Sequence, residues 1–368
     1  MLTHVMKILY VANIRMPTEK AHGIQIAKTC EAFAKAGADV ELVVPDRRTH
    51  ITEDIASYYD LKKTFPITRL RAPDSVSWGF IGFLIESLVF AVAAARFARR
   101  RDAVVYGRDE IVLATIGLFT NREIVWESHT GAWNLFARYI ARRAKKIVVI
   151  SNGLRDFYIS KGIPTSKIIV AHDGIDLSSF ENPESKKDAR ARLRLSQHVK
   201  IALYIGALGT WKGTDTLMEA SNFLPDDTCV AIVTSSDTKS LRTKYPRVLF
   251  LGEQPYRDIA SNQAAADVLI LPNSARDVIG ARYTSPLKLF TYMASKRPII
   301  VSDLPSMREV LSNENAYFFK ADDANDLARA IREALTDPLA RERAARAYEK
   351  VLQYSWTARA KRILNAFP

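Results

Sequence analysis

The sequence predicts an α/β protein of two domains, each a parallel sheet covered by helices on both faces. Three observations carry this. Short runs of β-branched and apolar residues alternate with helix-patterned stretches. A strand–loop–helix–strand opening occurs twice, at Lys7 and again at Lys200. The chain has 368 residues, enough for two domains, and is 48% hydrophobic and 25% charged, the balance of a packed globular protein.

The first opening starts with KILYVAN (Lys7–Asn13), a short β-rich run, followed by a loop holding Pro17 and Gly23. Ile24–Ala36 then sets Ile26, Cys30, Phe33 and Ala34 at helical spacing, with Gly37 as the stop. VELVV (Val40–Val44) is the next strand, ended by Pro45. Further strands are expected at Ala103–Tyr106, Ile124–Trp126 and Lys146–Ile150. In the second half, KIALYI (Lys200–Ile205) is a strand, Gly206–Gly213 a loop and Thr214–Asn222 a helix. Strands follow at Cys229–Thr234, Val248–Leu251, Val268–Leu271 and Pro298–Val301.

The polar stretch FENPESKKDARARLRLS (Phe180–Ser196) reads as the linker. The expected domains are residues 1–180 and 181–350. Residues 351–368 form a terminal helix whose Trp356, Ile363, Leu364 and Phe367 must pack on something, the first domain being one placement.

Val76–Ala98 is strongly apolar, close to the roughly 20 residues of a membrane span. Glu86 at its centre, Ser87 beside it, and Gly79 and Gly82 near its start favour a buried helix. An interfacial element comes next: Trp78, Phe80 and Phe83 would enter lipid while Arg96, Arg99, Arg100 and Arg101 meet headgroups. A true span ranks last.

The net charge of +13 is shared between the halves and suits anionic partners. No helix-turn-helix, zinc or RNA-recognition signature accompanies it, so nucleic acid is not the expected partner. Two distant cysteines, Cys30 and Cys229, exclude a disulfide framework and fit a reduced, cytoplasmic setting. The opening MLTHVMKILYVAN lacks the pattern of a secretory leader. No HExxH, CxxC or close carboxylate cluster suggests a metal. No G-x-G-x-x-G follows the first strand, which argues against a dehydrogenase.

Ligands of open parallel sheets bind beyond the strands' carboxyl ends. There, Thr284–Ala294 (TSPLKLFTYMA) is the strongest signal. Ser285 is a good N-cap, Pro286 suits the first turn, and Lys288 follows at once. Free N–H groups, a positive helix end and a lysine together favour a bound anion. The loop YIGALGTWKG adds Gly206, where backbone can approach closely, and Lys212 as a point charge. Two cations and a helix N-terminus suit a diphosphate.

These motifs, in this order, resemble glycosyltransferase family 4, the retaining enzymes of the GT-B fold. The likeness also covers KILYVAN, GADVELVVP, KIVVISNGLRDFY, KIIVAHDGIDLSSF, ADVLILPN and SKRPIIVSDLPSMREVL. It implies two Rossmann-like domains facing across a cleft, the first on the acceptor side and the second binding a UDP-, GDP- or ADP-sugar. It implies that Lys212 contacts the donor diphosphate and that Gly23 approaches it from the other domain. Ser285, Pro286, Leu287 and Lys288 match the phosphate-facing turn, and His129 a histidine close to the reacting sugar. Lys212 and His129 are the catalytic candidates, with no cofactor or metal. The acceptor would be a glycan, a lipid-linked molecule or a small molecule. Peripheral contact with an anionic membrane remains open.

Two departures stand out. The family's paired glutamates, one on the donor sugar and one on the ribose, are matched here by Tyr283 and Thr291. The arginine often found before the loop lysine is replaced by Ala207-Leu208-Gly209. An epimerase of the same fold, or a nucleotide-sugar-binding protein that has lost catalysis, is therefore the alternative.

Overall fold

The computed structural model describes residues 5–367. The first four residues of the stretch read for a leader lie outside them. The chain divides into two compact units, Met1–His172 with Trp356–Pro368, and Asp173–Ser355.

The first unit holds a seven-stranded parallel sheet. Its strands are β1 (Lys7–Val11), β2 (Asp39–Pro45), β3 (Ile67–Leu70), β4 (Val104–Gly107), β5 (Ile124–Ser128), β6 (Lys146–Val149) and β7 (Ile168–Val170). Their order is β3-β2-β1-β4-β5-β6-β7. β5 is buried end to end, and β1 and β4 are buried beyond their first residue, because helices cover both faces. β3 and β7 were not expected. They are short, half-buried edge strands, and an edge needs less hydrophobic pattern than a centre. Gly37 ends the Ala21–Lys35 helix with φ of 94°, a left-handed conformation that glycine adopts without strain.

The second unit holds a six-stranded parallel sheet. It comprises β8 (Lys200–Ile205), β9 (Thr228–Val233), β10 (Val248–Phe250), β11 (Val268–Leu271), β12 (Ile299–Ser302) and β13 (Tyr317–Phe319), in the order β10-β9-β8-β11-β12-β13. Alternate residues of β8 enter different cores: Ile201 and Leu203 on one face, Ala202 and Tyr204 on the other. In both sheets the strand order reverses beside the first strand, between β1 and β4 and between β8 and β11. That reversal leaves a crevice at the carboxyl ends.

Phe180–Ser196 is not a linker. Lys186–Arg192 is a helix capped by Ser185, and Ala189, Leu193 and Leu195 enter the second unit's core. Arg190 is buried with them, donating to Ala265 O and to Asp267. Composition misled because Lys187, Asp188 and Arg192 face solvent while Ala189 and Arg190, with the leucines that follow, turn inward. The division falls at His172–Asp173, ahead of the expected position.

The Trp356–Leu364 helix belongs to the first unit and packs on the Ala21–Lys35 helix. Trp356, Arg359 and Ile363 are buried there. Val76–Ala98 also departs from expectation. Gly79–Arg99 is a helix, but only one of its faces is buried, and Trp78, Phe80 and Ile81 stand largely in solvent.

Candidate functional site

Two clusters of polar residues sit beyond strand carboxyl ends, one in each unit. The cluster in the second unit grows from β8 and from the loop after β11. Tyr204, the fifth residue of β8, is buried, and burial raises its phenol so that it stays protonated. Its hydroxyl donates to Ala207 O at 2.9 Å and accepts from Lys288 Nζ at 2.8 Å. The Lys288 ammonium also lies 4.1 Å from the centre of the Tyr204 ring, a cation–π distance. A Cβ on Gly206 would come within 2.7 Å of Lys288 Nζ, and the residue has φ of 148°. Only glycine leaves the lysine that space.

Lys212 ends a short 3₁₀ turn, Thr210–Lys212, and its Nζ lies 5.1 Å from the Trp211 ring centre. Burial lowers its pKa. Lys288 is held well below an ordinary lysine, first by burial and then by the Lys212 charge. The two ammonium groups therefore feel each other, and no carboxylate contributes to either shift. An anion held between two such ammonium groups would favour the charged form of both.

The helix carrying Lys288 is Leu287–Ala294, and no side chain caps it. Ser285 was expected to do so. Instead Pro286 occupies the cap position and Ser285 Oγ accepts from Asp173 N at 3.2 Å. Proline has no side-chain acceptor for the first-turn amides, so the N–H groups of Leu287 and Lys288 are without a side-chain partner from a cap. A dianionic group could use them.

Thr291 does not reach a ligand surface. It is buried, donates to Lys288 O at 2.9 Å and accepts from Gln263 Nε2 at 2.8 Å. A threonine is too short to extend past the turn where a glutamate would. Tyr283, half-buried, closes a π-helical turn, Ile279–Tyr283, just before the phosphate-facing segment.

The cluster in the first unit lies at the ends of β1, β4 and β5. Glu127, inside β5, is fully buried yet ionised. Burial alone would raise its pKa, but Arg359, His129 and Arg108 together hold it well below the usual carboxylate range. Its Oε1 accepts from Gln25 Nε2 at 2.6 Å, His129 Nε2 at 2.6 Å and Arg359 Nη2 at 2.8 Å. Its Oε2 accepts from the Tyr106 hydroxyl. Arg108 Nη1 donates to Gln25 Oε1 at 3.0 Å, closing the network.

His129 is lowered to about 4 by burial and by Arg108, against the opposing pull of Glu127. It is neutral near pH 7. Because Glu127 can only accept, the proton sits on Nε2, and Nδ1 keeps its lone pair. His22, in the first turn of Ala21–Lys35, is likewise lowered to about 4 by burial and Arg108. Gly23 lies in that first turn and not in the preceding loop. A Cβ there would meet Tyr59 Oη at 2.4 Å and Thr18 Cγ2 at 2.5 Å, so packing alone requires the glycine.

Sequence reasoning missed Arg108, Glu127, Gln25, Tyr106 and Arg359. Glu127 left a signal, a lone carboxylate within the apolar run IVWES. Arg359 left none, because its partner is distant in the chain. Among the described residues no group of three or more His, Cys, Asp or Glu gathers as metal ligands.

Residues 23–179 match the family described as Glycosyltransferase Family 4, and residues 199–337 match Glycosyl transferases group 1. TuaC of Bacillus subtilis (strain 168), a glycosyltransferase assigned to teichuronic acid biosynthesis, is 24% identical over 354 residues, covering 89% of this chain and 88% of that protein. Among solved structures, sucrose-phosphate synthase from Thermosynechococcus elongatus superposes with a TM-score of 0.80 at 20% identity, covering 98% of both chains. HepE of Anabaena, solved with UDP and glucose, superposes with a TM-score of 0.78 at 16% identity, again over 98% of both chains.

Proposed function

Because this chain belongs to the family 4 type of GT-B glycosyltransferases, we propose that it transfers a sugar from a nucleoside-diphosphate donor, with retention at the anomeric carbon and without a resident metal or cofactor. The observation that carries this reading is the pair Lys212 and Lys288, mutually repelling, beside Gly206 and an uncapped helix. HepE, a protein of the same fold, was solved with UDP and glucose, which supports a nucleotide-sugar donor.

The leaving diphosphate gains charge as the glycosidic bond breaks. Lys212, Lys288 and the Leu287 and Lys288 amides meet that charge, the task a metal performs elsewhere. Neutral His129 offers Nδ1 to a sugar hydroxyl, while Glu127 fixes the ring through Nε2. The leaving phosphate accepts the acceptor's proton on the face it departs from. The acceptor class is a glycan, a lipid-linked molecule or a small molecule.

Incubating the protein with UDP-, GDP- and ADP-sugars and candidate acceptors tests this reading. One donor should give a product whose anomeric configuration, read by NMR, matches the donor's, with turnover unchanged by EDTA. Inverted product, or turnover lost with chelator and restored by a divalent cation, would refute the corresponding part.

A further inference from the structure

The Gly79–Arg99 helix is inside out for a protein bathed only in water. Apart from Phe90, its inner face is made of small and polar residues: Gly82, Ser87, Ala91, Ala94, Ala95 and Ala98, with Glu86 fully buried among them. The Asn13 amide bridges Ser87 and Glu86, each at 2.9 Å, and Arg47 lies 3.8 Å from the Glu86 carboxylate. The outer face carries the large apolar side chains Ile81, Leu84, Ile85, Leu88, Val89 and Val92, all exposed. Trp78 and Phe80, at the start of the helix, are 74% and 79% exposed. A continuous apolar patch of this kind marks an interaction surface.

The same helical face continues into Arg96 and Arg99, and Arg100 follows. No carboxylate forms an ion pair with these three among the described residues. Arg122 joins the band, donating to Arg99 O at 3.3 Å while pairing with Asp102. Leu118 and Phe119, just before Arg122, are 65% and 66% exposed. Apolar side chains graded into unpaired arginines match the order of hydrocarbon and phosphate at a bilayer surface. A terminal tryptophan suits the same boundary.

We propose that this face docks the first unit onto a bilayer containing anionic lipids, with the helix lying in the interface. By length and composition the stretch could also cross a bilayer. The buried contacts of Glu86 and Ser87 argue for lying on it, since spanning would strip them from Asn13 and Arg47. A second copy of the chain would meet the same arginines and be repelled by them, whereas phosphate headgroups neutralise them. The docking does not depend on the transfer reaction.

Co-sedimentation of the full chain with vesicles tests the proposal. The wild type should bind phosphatidylcholine vesicles containing phosphatidylglycerol more tightly than phosphatidylcholine alone, and less tightly as salt rises. Trp78→Ser, Phe80→Ser and Ile81→Ser combined should reduce binding at least tenfold. Arg96→Gln, Arg99→Gln and Arg100→Gln combined should remove the preference for anionic vesicles, by about fivefold per charge at low salt. Both variants should keep the wild-type melting temperature, because all six side chains are exposed. Three results would overturn the proposal. One is wild-type protein that ignores anionic vesicles. Another is self-association without vesicle binding, abolished by the apolar triple. The last is bound protein that resists alkaline carbonate extraction, which would mean a span.

Discussion

At the scale of single residues the chemistry rests on charges that the fold has left in tension. Lys288 is depressed by burial and by Lys212, and the proposed diphosphate would offset both. Lys212→Ala should lower kcat/KM by about two to three orders of magnitude without unfolding the protein. Steady-state kinetics with circular dichroism on the same sample checks this. Donor-product affinity should also weaken with rising pH earlier than an ordinary lysine would dictate, since the depressed lysines lose their protons sooner. Isothermal titration of UDP across alkaline pH would reveal it. Glu127→Gln leaves His129 without its charged acceptor. Turnover should fall at least tenfold with donor KM nearly unchanged, because Glu127 acts on ring orientation and not on binding; equal kcat would return Glu127 to a purely structural part.

Single residues also mark the limits of sequence reading. Gly206 and Lys212 stood out as a glycine and a lysine in one loop after a strand, Lys288 stood out in the separate turn at Pro286, and the structure brings the three near one another. Ser285 and Thr291 were misread because pattern gives position and not direction: one side chain turns to Asp173 N, the other to Gln263. Arg359 was illegible, since no local pattern links it to Glu127.

At the scale of elements the terminal helix is the informative one. Trp356–Leu364 carries Arg359 into the first unit, where it donates to Glu127 and to His172 O. A buried carboxylate deprived of its cation is strongly unfavourable. Arg359→Met should destabilise the first unit by about 3–5 kcal/mol, and adding Glu127→Gln should restore part of that loss. Urea titration of the single and double variants measures the coupling. The central strands were readable from their apolar runs, whereas β3, β7 and β13 were not. These three are edge strands of three or four residues, with little pattern to set them apart.

At the scale of the whole molecule, two parallel sheets each reverse strand order beside their first strand, and each places its polar cluster at the carboxyl ends. The alternation of strands and helices made this architecture legible, but the division at His172–Asp173 was not. The charged segment that follows it folds into the second unit's core through one face only. Global stability should respond to two partly buried histidines. His22 and His129 titrate near 4 in the folded protein and near 6.5 when unfolded. Between those values the unfolded chain binds protons that the folded chain refuses, so stability falls as pH falls from about 6.5 toward 4. His129→Gln should flatten that slope in melting curves taken across the window.

The central claim is that Lys212 and Lys288 together hold the diphosphate of a sugar nucleotide. Calorimetric titration of UDP, GDP and ADP into wild type, Lys212→Ala and Lys288→Ala tests it most directly. One nucleotide should bind the wild type, and each substitution should weaken it by about 10- to 100-fold while the ligand-free melting temperature holds. Binding of that nucleotide with equal affinity to all three proteins would contradict it.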